Sequence, residues 1–170
     1  KELCEIVVAQ EGYAIAYVPE ELRTKELCDV AIKDFPFALR FIPEELKTKE
    51  LCEMAVDKMG RAFEFVPEKF KSPELCKIAV EKHGDNLQYV PEKLKTPELC
   101  KLAISEYGWA LEYVPEEYKT YELCELAILS DENDASDTLE YVPEKFQEQL
   151  ALENELSKSN TGFNKEKDGK

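Results

Sequence analysis

The cysteine spacing constrains the fold of this chain more than any other feature of its sequence. Each cysteine lies in a copy of one unit, which reads roughly T-x-E-L-C-x-x-A-V-x-x-x-G-x-A-L-x-Y-V-P-E-x-L-K. The six cysteines stand 24 residues apart, at Cys4, Cys28, Cys52, Cys76, Cys100 and Cys124. A fixed period of this kind is typical of a stack of supersecondary units, in which each unit contacts its neighbours.

The even number and regular spacing of the cysteines first suggest disulfides or a metal site. If all copies fold alike, equivalent residues lie one helix-packing distance apart, about 8–10 Å. A disulfide needs Cα atoms closer than about 7 Å, and a zinc site usually contains cysteines paired at C-x₂₋₄-C spacing. We therefore expect buried free thiols, no metal and no cofactor. Free thiols persist in a reducing compartment, so we also expect a cytoplasmic location.

The copy at residues 96–119 indicates how one unit folds. Thr96 is a good N-cap, and Pro97 suits the first helical position. The apolar stripe that follows predicts a largely buried α-helix of about ten residues, which Gly108 ends by adopting a positive φ. A second helix of about six residues then runs up to Pro115, and a proline-led turn connects it to the next cap.

The copies also agree after the glycine, where each has apolar or aromatic residues at equivalent positions. These residues are predicted to point inward, and in the first copy they are Ala14, Ile15, Tyr17 and Val18. The period excludes tetratricopeptide and ankyrin units, which run to about 33–34 residues, and no copy has the strand pattern of leucine-rich repeats. We therefore predict an all-α fold, an α-solenoid of six short tandem helical repeats.

The sixth copy and the two ends depart from the pattern. Residues 1–146 form the predicted array, with a four-residue insertion around 130–137 that we expect to be a surface loop. Residues 147–156 are predicted to form a C-terminal capping helix, and residues 157–170 a disordered polar tail. Because the chain starts inside a copy without an initiator methionine, we expect a fragment of a longer protein.

The acidic net charge of the chain argues against some classes of binding partner. The net charge is −15, with 37 acidic and 22 basic residues, which argues against nucleic acid and membrane surfaces as partners. Many carboxylates have a structural explanation, because they lie where helices begin. Those after the prolines also have a basic residue three positions later, as Glu116 has Lys119. No D-x-D-x-D-G loop indicates a cation site.

The sequence does not favour an enzyme. Catalysis needs unlike groups that converge, whereas a regular stack presents the same groups repeatedly. His83 is the only histidine, and its counterparts in other copies include Glu11, Phe35 and Met59, as at a surface turn. No phosphate-binding glycine loop and no G-x-S-x-G motif is present. We expect no catalytic residues.

The positions that flank each glycine vary most between copies, so the fold does not dictate them. Stacked repeats would align these turns along one edge, and aromatic residues there are enriched at binding hot spots. The candidate protein-binding edge consists of Tyr13, Phe35, Phe37, Met59, Arg61, His83, Tyr107 and Trp109. The alternative is that these aromatic residues only pack on the adjacent repeat.

The motifs G-W-A-L-E-Y-V-P-E-E-Y-K-T and G-Y-A-I-A-Y-V-P-E-E-L-R-T, with E-L-C-x-x-A-[VI] after each, resemble a bacterial tandem α-helical repeat family of unknown function. The resemblance covers residues 1–146. This sequence differs from the family pattern at Pro36, which replaces the glycine of the second copy, and at the insertion in the sixth copy. The resemblance implies a bacterial source, a helical stack and membership of a larger protein, and it supplies no catalytic residues.

These observations favour a protein–protein interaction scaffold or recognition segment without catalysis of its own. Its partner would be a protein or peptide whose identity the sequence does not reveal. A different interpretation stays open, that the chain is a passive structural spacer in a long multi-repeat protein.

Overall fold

The computed structural model describes residues 2–131 and 135–153 and is built from helices stacked in chain order. Counted from their caps, repeat 2 begins at Thr24 and repeat 6 at Thr120. The repeat α-helices are α1 (Glu2–Gln10), α2 (Lys25–Asp34), α3 (Lys49–Lys58), α4 (Pro73–Lys82), α5 (Pro97–Glu106) and α6 (Tyr121–Ser130). No strand occurs within the described ranges, and the α-helices recur at the 24-residue period. The prediction of an all-α tandem-repeat fold is confirmed.

Helices α2 to α6 begin at a serine or threonine because its side-chain oxygen accepts a hydrogen bond from a helical N–H without an intrahelical partner. The Thr48 hydroxyl accepts from the Leu51 N–H at 3.2 Å, and the Ser72 hydroxyl accepts from the Leu75 N–H at 3.2 Å. The pKa of Glu50 is lowered because its own backbone N–H and the Thr48 hydroxyl hydrogen-bond to its carboxylate. These caps fix where each repeat begins.

The predicted second helix is present in repeats 1 to 5 as a 3₁₀ helix of six residues. The proline that follows limits its length, because a proline disfavours the α conformation of the residue before it. The long 3₁₀ helices are Gly12–Tyr17, Pro36–Phe41, Gly60–Phe65, Gly84–Tyr89 and Gly108–Tyr113. Shorter 3₁₀ turns follow the prolines at Glu20–Leu22, Glu68–Phe70, Glu92–Leu94 and Glu116–Tyr118.

The repeat glycines lie at close contacts between repeats, and the prediction that they adopt positive φ is wrong. No described glycine has a positive φ. A Cβ on Gly84 would lie 2.5 Å from the Ala103 carbonyl oxygen of the next repeat, and one on Gly108 would lie 2.0 Å from the Ala127 carbonyl oxygen. Glycine is therefore used because the neighbouring α-helix leaves no room for a side chain.

The α-helices bury one side each, and the prediction that they are largely buried is wrong. In α5 the buried residues are Leu99, Cys100, Ala103 and Ile104, and the same four positions recur as the buried residues of α2, α3, α4 and α6. The apolar residue two positions after the cysteine is exposed in α1, α2 and α4, where Ile78 is 40 % exposed, and partly buried in α3, α5 and α6. The core is thus a continuous apolar layer between the α-helices and the 3₁₀ helices.

A row of basic side chains joins consecutive repeats, and we call it the cation ladder: Arg23, Lys47, Lys71 and Lys95. Each donates a hydrogen bond to a carbonyl 18 residues later, at the end of the next 3₁₀ helix. The Lys95 Nζ lies 2.7 Å from the Tyr113 carbonyl oxygen and 2.7 Å from Glu92 Oε1. The expected pairs with glutamates three positions earlier are present at Lys47, Lys95 and Lys119, but these lysines are buried.

The C-terminal part of the array differs from the other repeats. A short helix α7 (Ala135–Leu139) lies in the segment that the sequence predicted as a loop, and residues 132–134 lie outside the described residues. Residues 144–153 are helical, and Leu150 in this helix is buried. The Tyr121 hydroxyl donates to Glu153 at 2.7 Å, which joins this helix to α6. The end of the predicted cap and the predicted tail, 154–170, also lie outside the described residues.

Candidate protein-binding face

The long 3₁₀ helices present one exposed side, because three residues per turn separate a buried stripe from an exposed one. In repeat 1, Ile15 and Val18 are buried, whereas Tyr13 is 47 % exposed and Tyr17 is 80 % exposed. We call the outward side chains of the long 3₁₀ helices the 3₁₀ face. The prediction that Tyr17 points inward is therefore wrong.

The predicted edge residues lie on or beside the 3₁₀ face, with differing exposure. Tyr13 and Arg61 are exposed, and the other six are partly buried. Phe35 and Tyr107 pack against the core, and Tyr13 and Phe37 each contact a ring of the next repeat, as the packing alternative expects. The rest of the edge leaves apolar surface that the core does not cover.

The aromatic edge residues form two separate clusters. In the N-terminal cluster the ring of Phe35 lies 6.4 Å from that of Tyr13 and 6.1 Å from that of Phe37, measured between centroids. In the C-terminal cluster Trp109 lies 6.1 Å from both Tyr107 and Tyr113. Such edge-on and tilted rings stabilise one another and hold each cluster in place.

Between the two clusters the edge is polar. Arg61 Nη2 lies 3.6 Å from Asp85 Oδ2, while the other Asp85 oxygen is shielded from solvent and lacks a hydrogen-bond partner. Met59 and His83 are partly buried at the neighbouring turns. The edge is therefore two aromatic patches with a polar stretch between them, rather than one continuous aromatic row.

The sequence did not identify one set of aromatic residues as part of this face. The last residue of each long 3₁₀ helix is aromatic in every copy: Tyr17, Phe41, Phe65, Tyr89 and Tyr113. The first is exposed and the others are partly buried. Phe65 contacts Phe37 of the preceding repeat at 5.9 Å, so this set extends the N-terminal cluster. Phe41, Phe65, Tyr89 and Tyr113 also pack against the core, so Tyr17 is the member of this set that is largely exposed.

Two grooves meet at Phe37 on the 3₁₀ face. The N-terminal groove has a volume of about 380 Å³ and is lined by Glu11, Tyr13, Asp34, Phe35, Phe37, Arg40 and Phe41. The second groove has a volume of about 340 Å³ and is lined by Phe37, Arg61, Glu64, Asp85, Asn86 and Tyr89. Both volumes fall within the range of about 300–1,000 Å³ that is usual for ligand sites.

The aromatic rings of this face already hold one cation. The guanidinium carbon of Arg40 lies 5.2 Å from the ring centroid of Phe41 and 5.5 Å from that of Phe65. Both distances are within the range of cation–π attraction. The rings therefore contribute an electron-rich surface as well as apolar area.

Several carboxylates lie on or beside the 3₁₀ face. Asp34 Oδ2 accepts the Gly12 N–H at 2.8 Å, and Glu11 is exposed at the same groove. The charge of Glu112 is the main cause of the raised pKa of Tyr141. The pKa of Tyr89 is raised by burial and then by the charges of Glu64 and Asp85.

The cysteines lie away from this face, in the core. Cys28, Cys52, Cys76, Cys100 and Cys124 are buried, and Cys4 is partly buried. Burial raises the pKa of the five buried thiols from 9.0 to about 11. In the described part of the chain, no group of three His, Cys, Asp or Glu side chains has a geometry that could hold a metal ion. Nor does any helix within 2–131 and 135–153 have the length and apolar character to cross a membrane.

The stacked α and 3₁₀ helices place this chain among the all-α tandem-repeat proteins. The profile of a family described as a domain of unknown function, DUF4116, matches residues 1–47, 24–71, 48–95 and 72–119. These overlapping matches cover well over half of the chain, which therefore belongs to the DUF4116 family. No curated protein and no solved structure matches the chain significantly.

Proposed function

We propose that this chain is a protein–protein interaction scaffold that binds a protein or peptide through its 3₁₀ face, without catalysis of its own. The single observation that carries the proposal is the variation at one position of the 3₁₀ face. Phe37 and Trp109 occupy the position that is Arg61 or Asp85 in other repeats. Because the fold accepts a charged side chain there, packing does not require the aromatic residues.

The geometry around these two residues supports a binding role. Each is only partly buried, and each lies in a cluster of rings that restrict its movement. Preorganised aromatic side chains lose little conformational entropy on binding and dominate many protein interfaces. Two such clusters on one rigid array suit an extended partner or two contacts with the same partner.

The proposal is tested with the double variant Phe37→Ala/Trp109→Ala. The matched control is Val30→Ala/Ile78→Ala, which removes two exposed apolar side chains from α2 and α4 on another face. Each chain is immobilised, and the proteins that it retains from the lysate of its source are compared by quantitative mass spectrometry. We expect specific partners to be lost, by at least tenfold, from the 3₁₀-face variant alone.

Identical retained proteins for the wild type and both variants would contradict the proposal and favour a structural spacer. Far-UV circular dichroism of both variants checks that the helices are intact. Buried free thiols also fit a reducing compartment, so we further propose a cytoplasmic location. Microscopy of the tagged full-length protein checks that location.

A further inference from the structure

The N-terminal groove combines aromatic rings with carboxylates, which is the combination that recognises organic cations. Tyr13, Phe35 and Phe37 stand in a row with neighbouring centroids 6.1–6.4 Å apart, and Glu11 and Asp34 line the same groove. Aromatic rings attract a cation that lies over their faces, and a carboxylate nearby adds a direct charge interaction.

The two arginines of the face have partners within the chain, and Arg40 also lines the N-terminal groove. The Arg40 guanidinium lies over the Phe41 and Phe65 rings, and Arg61 lies against Asp85. Glu11, in contrast, is exposed and makes no side-chain cap for the 3₁₀ helix that it precedes. The groove therefore keeps carboxylate charge available to a ligand.

The net charge of the whole molecule also favours a positively charged ligand. The net charge is −15, so a basic partner is attracted over distance and an acidic one is repelled. The carboxylates Glu64 and Asp85 line the second groove, which continues from the first at Phe37. A linear ligand that carries successive positive charges would cross both grooves.

We propose that the partner segment is a basic peptide, and that a lysine or arginine side chain of this peptide inserts between Glu11, Asp34 and the rings of Tyr13, Phe35 and Phe37. This proposal rests on the proposed function and names the chemistry of the partner. The peptide crosses from the N-terminal groove to the second groove, where the exposed Glu64 faces its next positive charge.

The probes are fluorescein-labelled hexalysine, hexaarginine and hexaglutamate, whose binding to the full chain is measured by fluorescence anisotropy at two salt concentrations. We expect hexalysine and hexaarginine to bind and hexaglutamate not to bind, with affinity falling as salt rises. Binding of choline, a small organic cation, is measured for comparison. Binding of choline as tight as that of hexalysine would overturn the assignment to a peptide.

Matched charge variants separate the groove from diffuse attraction to an acidic protein. Glu11→Lys and Glu45→Lys change the net charge equally, and lysine is the native residue at the position of Glu45 in repeats 3 and 4, Lys69 and Lys93. We expect Glu11→Lys to weaken hexalysine binding at least tenfold, and Glu45→Lys to weaken it less than threefold. Equal weakening by both variants would overturn the proposal.

Two double variants that leave the net charge unchanged test how much the aromatic rings contribute to binding. Tyr13→Ala/Phe37→Ala should weaken hexalysine binding at least tenfold, and Val30→Ala/Ile78→Ala should leave it unchanged. Loss of affinity in both double variants, or in neither, would overturn the proposal. If the 3₁₀ face retains a partner from the lysate while hexalysine and hexaarginine do not bind, the proposed function stands and the basic-peptide inference fails.

Discussion

Each repeat cysteine fills a small site between the α-helix that carries it and its neighbours. The five buried thiols have the same surroundings because the same four positions of each α-helix face the core. The sequence alone predicted this placement, since the cysteine follows a leucine in an apolar stripe. Cys4 differs from the other five because it is only partly buried.

Thiol labelling should separate Cys4 from the five buried cysteines. A pKa raised from 9.0 to about 11 lowers the thiolate fraction near neutral pH about a hundredfold, and burial also blocks access. With a thiol-reactive disulfide reagent at pH 8, we expect one equivalent to react rapidly in the native chain and five slowly. All six should react rapidly in guanidinium chloride, and Cys4→Ser should abolish the fast native phase. Rapid native reaction of all six would contradict the burial.

The structural reason for each repeat glycine could not be predicted from the sequence. Two different requirements select it, a positive φ and a lack of room for a Cβ, and the sequence pattern does not distinguish them. The contact between Gly84 and the Ala103 carbonyl is a property of two neighbouring repeats, which no local pattern encodes.

At the scale of the element, the long 3₁₀ helix and the cation ladder are coupled. The carbonyls at the end of a 3₁₀ helix have no partner within the helix, and a positive charge at that end is favourable. The ladder supplies both the donor and the charge from the preceding repeat, as Lys95 does for Tyr113. This explains why a basic residue at that position is buried although it is charged.

Lys95→Met should therefore lower the free energy of unfolding more than the loss of an exposed lysine would. Hydrogen bonds that involve a charged group contribute about 1.5–3 kcal/mol, and we expect a loss of that size in the free energy of unfolding. Lys93→Met is the matched control, because Lys93 is exposed and its pair with Glu68 is long, 3.4 Å. Surface pairs of this kind contribute about 0–1 kcal/mol. Urea unfolding of both variants measures the difference, and equal losses would contradict the role of the ladder.

The aromatic positions of the same 3₁₀ helix were only partly predictable. In a 3₁₀ helix Ile15 and Val18 lie one full turn apart on the buried side, and Tyr17 lies about 120° away from them. The sequence predicted a short helix that ends before the proline after Val18, but it did not predict the 3₁₀ pitch. Tyr17 was consequently misplaced, whereas its counterparts Phe41, Phe65, Tyr89 and Tyr113 are partly buried and pack against the core.

At the scale of the whole molecule, the chain is a one-dimensional stack in which each repeat contacts its neighbours. The repeats exchange the same contacts along the array: the glycine against the next α-helix, and the ladder cation on the next 3₁₀ helix. A stack of this kind should tolerate the removal of one whole repeat, because the new neighbours are equivalent.

Deletion of residues 49–72 tests this expectation. The deletion joins Thr48 to Pro73 and recreates the T-P-E-L-C junction that residues 96–100 have in the wild type, and Lys47 takes the place of Lys71. We expect the same helical signal per residue and a cooperative unfolding transition with lower stability. The control, deletion of residues 49–60, removes half a period and should abolish cooperative unfolding. Similar behaviour of the two variants would contradict the stacking register.

The sequence by itself determined the features that depend on local chemistry. The period, the helical class, the serine and threonine caps and the burial of the cysteines follow from residue spacing and from the preferences of single residues. The family assignment confirms the same period, because successive matches advance by one repeat. The order of elements and the repeat boundaries were therefore predictable without any three-dimensional information.

Only the tertiary structure decided how the two kinds of helix divide core from surface. The distance between repeats selects glycine, and the pitch of the 3₁₀ helix leaves Tyr17 exposed. The meeting of two repeats buries Lys95 against Tyr113 and places Tyr13 beside Phe35. These features arise from packing between units that are distant in sequence, and local residue preferences do not specify such contacts.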